Sequence, residues 1–212
     1  MKERILAEAE RLFWKYGAKS VTIEDIIKRL GISKKTVYQY FVDKEDILYQ
    51  VVDSRIGKDK HQMSCVSADA PDPIAEMLLF LRELQQHTDQ VSPNLLIDIR
   101  RHYPRTWQLF EAHKQNFIMR YILENIQKGM SQGLYRDDLN ADVLARMRVE
   151  QVELAFDGEV FPTDRYAMLD VQRELIHHFV RGMLTEQGFT VYNQFVGKEE
   201  SNEHNLITHE NK

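Results

Sequence analysis

The sequence predicts an all-α protein in which a small N-terminal helical domain precedes a larger helical domain, with about nine helices in total. Apolar residues recur at spacings of three and four, as in Ile5, Ala9 and Leu12, which is the period of a helix buried on one face. Residues that start helices stand before most of these segments, and no stretch alternates convincingly as a strand does. A chain of 212 residues is long enough for two such domains.

Charge is divided unevenly along the chain. Residues 1–55 carry 11 basic and 9 acidic side chains, whereas the rest carries 17 and 24, so the basic excess lies at the N-terminal end. This asymmetry favours a nucleic-acid-facing module joined to another domain. The single cysteine, Cys65, excludes an internal disulfide. Because the first residues do not look like a secretory signal and no apolar run approaches the ~18 residues of a membrane span, we expect a cytoplasmic protein.

Three helix N-caps follow one another within residues 22–46. Thr22, Ser33 and Asp43 are residue types whose side chains accept hydrogen bonds from the first amides of a helix. Each is flanked by an apolar pair in the positions of a hydrophobic staple, which fixes the direction in which the chain enters the helix. These pairs are Val21 with Ile26, Ile32 with Val37, and Val42 with Ile47.

The predicted boundaries place a helix-turn-helix domain at 1–50, a helical ligand-binding and dimerisation domain at 51–190, and a polar, mobile tail at 191–212. Within the second domain, small and polar residues at 64–71 indicate a linker after the helix that begins at Lys44. Asp72-Pro73 and Ser92-Pro93 are helix-start signals. One long helix follows Pro104, and two more are expected at about 141–157 and 166–186.

The last two predicted helices carry apolar residues on more than one face. In the second of them, Met168, Val171 and Leu175 belong to one stripe, while Ile176 and Val180 belong to another. A helix with two apolar faces needs a partner beyond its own core, which predicts a homodimer formed by this helix pair. The alternative is a helix buried within a larger core.

Residues 22–41 predict two short helices joined at Gly31, which is the arrangement of a helix-turn-helix. In that arrangement the second helix lies in the major groove of DNA. Lys34 and Lys35 stand in its first turn, where cations are unfavourable unless an anion is bound, and a DNA phosphate would be that anion. Lys44 would add a further backbone contact. The alternative is a solvated basic face without a ligand.

This segment resembles the N-terminal domain of TetR-family transcriptional regulators. The resemblance covers about residues 4–53 and rests on Thr22 to Leu30, Gly31 to Phe41 and Asp43 to Leu48, with Phe13 to Gly17 before them. It implies a homodimer joined mainly by the last two helices, which binds a double-stranded DNA operator and most often represses until a small-molecule inducer binds. The residues expected to touch DNA are Thr22, Ser33, Lys34, Lys35, Thr36, Tyr38, Gln39, Tyr40 and Lys44; at Lys35 the family often has a small residue instead.

A set of aromatic and polar residues in the larger domain could form the inducer pocket, although such a stripe is also typical of plain core. The long helix presents the aromatic members of this set, and the next helix presents the others. The candidates are Trp107, Phe110, Phe117 and Tyr121, with Met147 and Gln151 opposite.

Two motifs with catalytic or metal-binding counterparts lack their context. Gly129-Met130-Ser131-Gln132-Gly133 matches a hydrolase nucleophile elbow, but a helix rather than a strand precedes it. Glu174 and His177 match one copy of a di-iron spacing that requires two. We therefore expect no catalytic residue, metal or cofactor. Two alternatives to a ligand-responsive regulator remain: a helical small-molecule-binding protein or enzyme with an accessory DNA-binding domain, and a structural DNA-binding protein without an inducer.

Overall fold

The computed structural model describes residues 1–88, 92 and 94–209, and their side chains except those of 81, 83–88, 94 and 199–209. The all-α prediction is confirmed. Within the described residues the one strand-like pairing is an isolated bridge between Tyr135 and Leu184. The helices are α1 Lys2–Tyr16, α2 Ile23–Leu30, α3 Lys34–Tyr38, α4 Lys44–Asp69, α5 Pro73–Thr88, α6 Asn94–His102, α7 Pro104–His113, α8 Met119–Ser131, α9 Ala141–Leu154, α10 Met168–Met183 and α11 Glu186–His209.

Two features raise the helix count of the described residues above the nine expected. The predicted long helix after Pro104 is present, but a π-helical turn at Lys114–Ile118 separates α7 from α8. The second feature is α11, which apolar periodicity did not predict. A π-helical turn inserts an extra residue into a helix and is often found at functional sites.

The segment 64–71, expected to be a linker, is mostly helical, so that prediction is wrong. α4 continues through Asp69, and the Ser64 hydroxyl donates to the Lys60 carbonyl oxygen at 2.9 Å. Small residues that satisfy their hydroxyls on the preceding turn are compatible with a helix. The next start signal is confirmed, because the Asp72 carboxylate accepts the amides of Ile74 and Ala75 at 2.9 Å each. α6 begins at Asn94; Pro93, in the other start signal, lies outside the described residues.

Two hydrophobic cores organise the fold. The first joins α1 to α4 and extends into α6, since Leu95 and Ile99 pack among the buried residues around Phe13 and Ile26. The second is built from α5, α8, α9, α10 and the first part of α11. α6 therefore belongs structurally to the N-terminal core, although it follows α5 in sequence.

The second apolar face of α10 is covered by the chain itself. Ile176, Phe179 and Val180 are all buried in the second core, and Tyr192 of α11 packs into the same core with 4% of its surface exposed. The two-face argument for a partner chain therefore fails for α10, because α11 was missing from the prediction. α9 differs, since it exposes an apolar stripe consisting of Val143, Met147 and Leu154.

The predicted tail from residue 191 is largely helix α11, so the expected boundary at 190 does not end the helical structure. Four of the described side chains of α11 contribute to the second core: Val191, Tyr192, Phe195 and Val196. An apolar stripe of this length is too short to stand out in the sequence. Gly188 also argued against a helix, because glycine disfavours helices. In the structure a side chain at this position would collide with the Leu134 carbonyl oxygen, so the close packing of α11 requires glycine there. Residues 210–212 of the predicted tail lie outside the described residues.

Candidate nucleic-acid interface

Local hydrogen bonds fix the turn between α2 and α3. Thr22 accepts the Asp25 amide at 3.2 Å, and the Asp25 carboxylate accepts the Thr22 amide at 2.8 Å, which completes a capping box. Gly31 ends α2 with φ +63°, a left-handed conformation that favours glycine. Ser33 then caps α3 by accepting the Thr36 amide at 3.1 Å. The relative direction of the two helices is thus set by neighbouring residues.

The inner side of α3 is seated in the first core. Ile26, Val37, Phe41 and Ile47 are buried, so rotation of α3 about its axis would expose apolar surface. The third cap is also confirmed, because the Asp43 carboxylate accepts the Asp46 amide at 2.8 Å.

The third hydrophobic staple is wrong. Val42 is 81% exposed rather than packed on Ile47. Its amide donates to the Asp46 carboxylate at 3.1 Å, which orients the backbone and leaves the side chain pointing outward. No sequence pattern indicates this exposure, since a valine before an N-cap normally favours burial. Val42 therefore adds an exposed apolar side chain beside the outward surface of α3.

The residues predicted to touch DNA lie mostly on one outward surface. Thr36 is half-buried, and its hydroxyl is 2.8 Å from that of Ser33. Tyr38 and Tyr40 expose their rings although they are large, and Tyr40 also approaches the buried Phe41 ring. The exposed members of the set are Thr22, Ser33, Lys34, Lys35, Tyr38, Gln39 and Tyr40.

An acidic residue that sequence reasoning missed lies on this surface. The Lys34 ammonium donates to the Glu24 carboxylate at 2.7 Å, and it also lies 5.9 Å from the Tyr38 ring centroid. This hydrogen bond raises the pKa of Lys34 and lowers that of Glu24. Ten positions separate the two residues, so no helical spacing could have indicated the pair. Lys35 forms no ion pair with any described residue.

Lys44 is placed differently from the rest of the predicted set. It is half-buried, its ammonium donates to the Lys19 carbonyl oxygen at 3.2 Å, and it lies 5.5 Å from the Tyr103 ring centroid. Burial lowers its pKa, although Asp98 acts in the opposite direction. Lys44 therefore connects the start of α4 with the loop after α1 and with the end of α6.

The predicted pocket residues do not converge on one cavity. Trp107, Met147 and Gln151 line an open cleft of about 940 Å³ between α6, α7, α9 and residues 156–159. Phe117 and Tyr121 instead line a smaller one of about 400 Å³ against α4. Phe110 lines neither of these two and packs beside Trp107, with ring centroids 5.3 Å apart.

The two rejected motifs have structural roles. Ser131 ends α8 and donates its hydroxyl to the Lys128 carbonyl oxygen at 2.8 Å, while Gly129 lies directly against the Tyr135 ring. His177 is 2.7 Å from the Tyr192 hydroxyl through Nδ1, which joins α10 to α11. Among the described residues, no group of three or more possible ligands could hold a metal ion.

Comparison with known proteins assigns the N-terminal domain. Residues 5–51 match the family described as bacterial regulatory proteins, tetR family. This N-terminal segment is thus similar to the DNA-binding domain of TetR-family regulators. Proteins of that family are transcriptional regulators rather than enzymes, and the exposed surface of α3 lies in the segment that matches their helix-turn-helix DNA-binding domain.

Similarity to TetR-type regulators extends over most of the chain. An uncharacterised HTH-type transcriptional regulator of Bacillus subtilis, YvaF, is 22% identical over 189 residues, covering 88% of this chain and 97% of that one. A TetR-family regulator from Agrobacterium tumefaciens has the same fold, with a TM-score of 0.72 at 17% identity over 87% of this chain and 97% of its own. A Saccharomonospora viridis protein solved in complex with choline aligns with a TM-score of 0.74 at 22% identity, covering 87% of this chain and 98% of its own.

No helix in the described part of this chain combines the length and the apolar character needed to cross a membrane.

Proposed function

We propose that this protein is a ligand-responsive repressor that binds a pseudo-palindromic DNA operator as a homodimer. The observation that carries the proposal is the outward surface of α3, where two lysines, hydroxyl groups and an amide project from a backbone fixed by capping hydrogen bonds. Such a surface offers cations for phosphate contacts and donors for base edges. Its role requires the protein to be in the cytoplasm with the DNA.

The roles proposed for individual residues follow from their chemistry. Lys34 would contact phosphate, for which it would exchange its ion pair with Glu24. Lys35 and Gln39 are the candidates for base-edge contacts, because the first is unpaired among the described residues and the second carries both a donor and an acceptor. Lys44, at the start of α4, would contact the DNA backbone beside the outward surface of α3.

Homodimerisation would place two α3 helices in successive major grooves, about 34 Å apart. The exposed stripe of α9, with Val143, Met147 and Leu154 at helical spacing, supports a seam between two copies. α10 would contribute its outer side, where Arg173, Glu174 and His178 are exposed.

A small-molecule inducer would bind the larger domain and must bind better to the conformer in which the two α3 helices are wrongly spaced. The cleft lined by Trp107, Met147 and Gln151 is the candidate entrance, because it borders α6, which packs on the DNA-binding domain. The Saccharomonospora viridis neighbour bound to choline supports a small-molecule ligand in this fold, without indicating its chemistry here.

The function is tested by footprinting on the DNA upstream of the protein's own gene and its neighbours. Affinity for a protected site is then measured against salt concentration for the wild type, Lys34→Ala and Arg120→Ala. Arg120 is an exposed arginine on α8, so Arg120→Ala removes one positive charge far from α3. Loss of a phosphate contact at Lys34 lowers the salt slope by about 0.9, whereas Arg120→Ala leaves it unchanged. Absence of any protected site would overturn the proposal, and an unchanged slope for Lys34→Ala would remove Lys34 from the phosphate contacts.

A further inference from the structure

The apolar side chains that the larger domain exposes are concentrated in one part of the chain. Beyond residue 42, six large hydrophobic side chains are exposed among the described residues, and five of them lie between residues 143 and 166. Single exposed apolar residues are normal on a protein surface, whereas a cluster of them marks an interaction site. The five are Val143, Met147 and Leu154 of the α9 stripe, with Val160 and Tyr166 in the connection to α10.

Two residues of the α9 stripe also line the cleft. Met147 is 43% exposed and Leu154 is 36% exposed, and both share the lining with Trp107. Residues 156–159, which come directly before Val160, form another part of the wall. The exposed apolar surface and the rim of the cleft therefore have residues in common, so a molecule that covers the stripe also covers the mouth of the cleft.

The surface of α9 suits a contact between two copies of the same chain. A two-fold interface places a patch against itself, so the patch must be self-complementary. The apolar stripe satisfies this condition by packing on its own counterpart, since its positions are separated by four and seven residues as in a coiled-coil seam. Exposed charges of both signs stand beside it, on Asp142, Arg146 and Glu150, so opposite charges can face each other across the seam.

The open mouth of the cleft is a second reason to expect a cover. Small-molecule sites bury most of the surface of their ligand. In a single copy, a ligand beside Met147 and Leu154 would remain in contact with water, because both side chains are themselves exposed. A second copy on the stripe would close this side.

We infer that the cleft is a site shared by two copies of this chain, in which the second copy packs on the α9 stripe and closes the mouth. The inference rests on the proposed homodimer, and it adds that the ligand site of each copy is incomplete without the other. A ligand in the cleft then contacts both copies, so ligand binding and dimerisation are linked equilibria.

The two tryptophans of the chain allow the cover to be measured without a ligand. Trp107 lines the cleft, whereas Trp14 packs against the first core. Trp14→Phe leaves Trp107 as the only tryptophan, and quenching of its fluorescence by acrylamide reports how freely solvent reaches the cleft. The full-length protein is used without DNA, and sedimentation velocity gives the oligomeric state of the same samples.

Val143→Glu separates the copies without altering the cleft, because Val143 belongs to the stripe but not to the lining. An acidic residue in the first turn of α9 favours the helix, so the variant should keep its fold. In the Trp14→Phe background we expect Val143→Glu to be monomeric. Its quenching constant should be at least about twofold higher than that of the dimer, because the packed core of an interface excludes solvent.

Two controls accompany this variant. Val42→Glu makes the same substitution at an exposed position outside the stripe, and it should leave both the dimer and the quenching of Trp107 unchanged. The Trp107→Phe protein reports on Trp14 instead, and its quenching constant should be the same with and without Val143→Glu.

Several results would overturn the inference. They are a protein that is monomeric at micromolar concentration, a Val143→Glu protein that stays dimeric, and a monomeric Val143→Glu protein in which Trp107 is quenched no more than in the dimer. If Val143→Glu fails to fold, dilution of the Trp14→Phe protein until it dissociates makes the same comparison, and an unchanged quenching constant would again refute the shared cleft.

DNA binding is measured separately, by footprinting. A dimer with a shielded Trp107 that protects no DNA site refutes the proposed regulatory function and leaves the shared cleft standing. A protein that protects an operator, although dissociation leaves the quenching of Trp107 unchanged, refutes the shared cleft alone.

Discussion

The Asp98 carboxylate of α6 accepts a hydrogen bond of 2.9 Å from the backbone amide of Lys19, across 79 positions of sequence. A second bond runs beside it, from the Tyr103 hydroxyl to the Ala18 carbonyl oxygen at 3.2 Å. Both hold the loop between α1 and α2, which leads directly into the helix-turn-helix. Side chains from α6 and from Tyr103 directly after it therefore hold the loop that leads into the helix-turn-helix.

Asp98→Ala should lower the free energy of unfolding by about 1 kcal/mol, because the Lys19 amide loses its acceptor. Asp98→Asn keeps an oxygen acceptor, so it should lower the free energy of unfolding by less than Asp98→Ala does. Urea denaturation of the two variants and the wild type measures the difference. Equal losses, or none, would show that this bond does not stabilise the contact between α6 and the N-terminal domain.

Two helical glycines should respond to alanine in opposite directions. Gly57 in α4 has open space around it, so Gly57→Ala should raise the free energy of unfolding by about 0.5–1 kcal/mol. Gly129 in α8 lies against the Tyr135 ring, so Gly129→Ala should lower it by about 1–3 kcal/mol. Thermal denaturation under identical conditions compares them. A stabilised Gly129→Ala protein would contradict the close packing of Tyr135.

His113 should make stability depend on pH. Burial, with a smaller effect of Lys60, lowers its pKa to about 4, whereas the unfolded chain has the ordinary value of about 6.5. The unfolded state therefore binds a proton that the folded state does not, so this stability is full above about pH 6.5 and falls as the pH is lowered. Between about pH 7.5 and pH 5 the loss should be about 2 kcal/mol.

Urea denaturation of wild type and His113→Phe at the two pH values isolates this contribution. The variant should lose less stability on acidification, while His178→Gln, at an exposed position, should behave like the wild type. Parallel losses in all three proteins would mean that folding does not lower the pKa of His113.

Glu24→Gln should raise DNA affinity about two- to fivefold, because it removes a negative charge beside the phosphates and frees Lys34 from its ion pair. Fluorescence anisotropy on a footprinted operator at one salt concentration measures the effect. Glu124→Gln is the control, since Glu124 is an exposed acid of α8 in a comparable ion pair with Arg120. Weaker binding of Glu24→Gln would mean that Glu24 holds Lys34 in its DNA-binding position.

Tyr192→Ala should lower the free energy of unfolding by about 3–5 kcal/mol if α11 belongs to the second core. The Tyr192 ring is buried, and its hydroxyl is bonded to His177. Phe189→Ala, an aromatic change on the exposed side of the same helix, should cost much less. Similar losses at the two positions would show that α11 is only loosely associated with the rest of the chain.

Much of the N-terminal domain could be predicted because its determinants are local. Thr22, Ser33 and Asp43 each form the predicted cap with a residue three positions later. Such bonds depend on sequence neighbours alone, so a pattern can indicate them. The Lys34 to Glu24 pair and the contact of Lys44 with Lys19 join residues that only the tertiary fold brings together.

The larger domain was harder to predict because its structure depends on which helix faces pack against one another. α10 has the predicted apolar residues, but whether its second face is covered by α11 or by another chain is decided by residues far along the sequence. The pocket candidates show the same limit: the sequence indicated one continuous helix, but Phe117 lies within the π-helical turn and lines a different cavity from Trp107.

α6 has nine residues, about 14 Å of helix, which is too short to bend. Leu95 and Ile99 on one side are embedded among the residues that support α3, while Leu96, Ile97 and Arg100 on the other side form a wall of the cleft. A rigid rod shared in this way has only whole-body motions available. A ligand that shifted α6 from the side of the cleft would also shift the residues on which α3 packs. Under the proposed function, occupancy of the cleft would therefore change the angle at which α3 meets DNA.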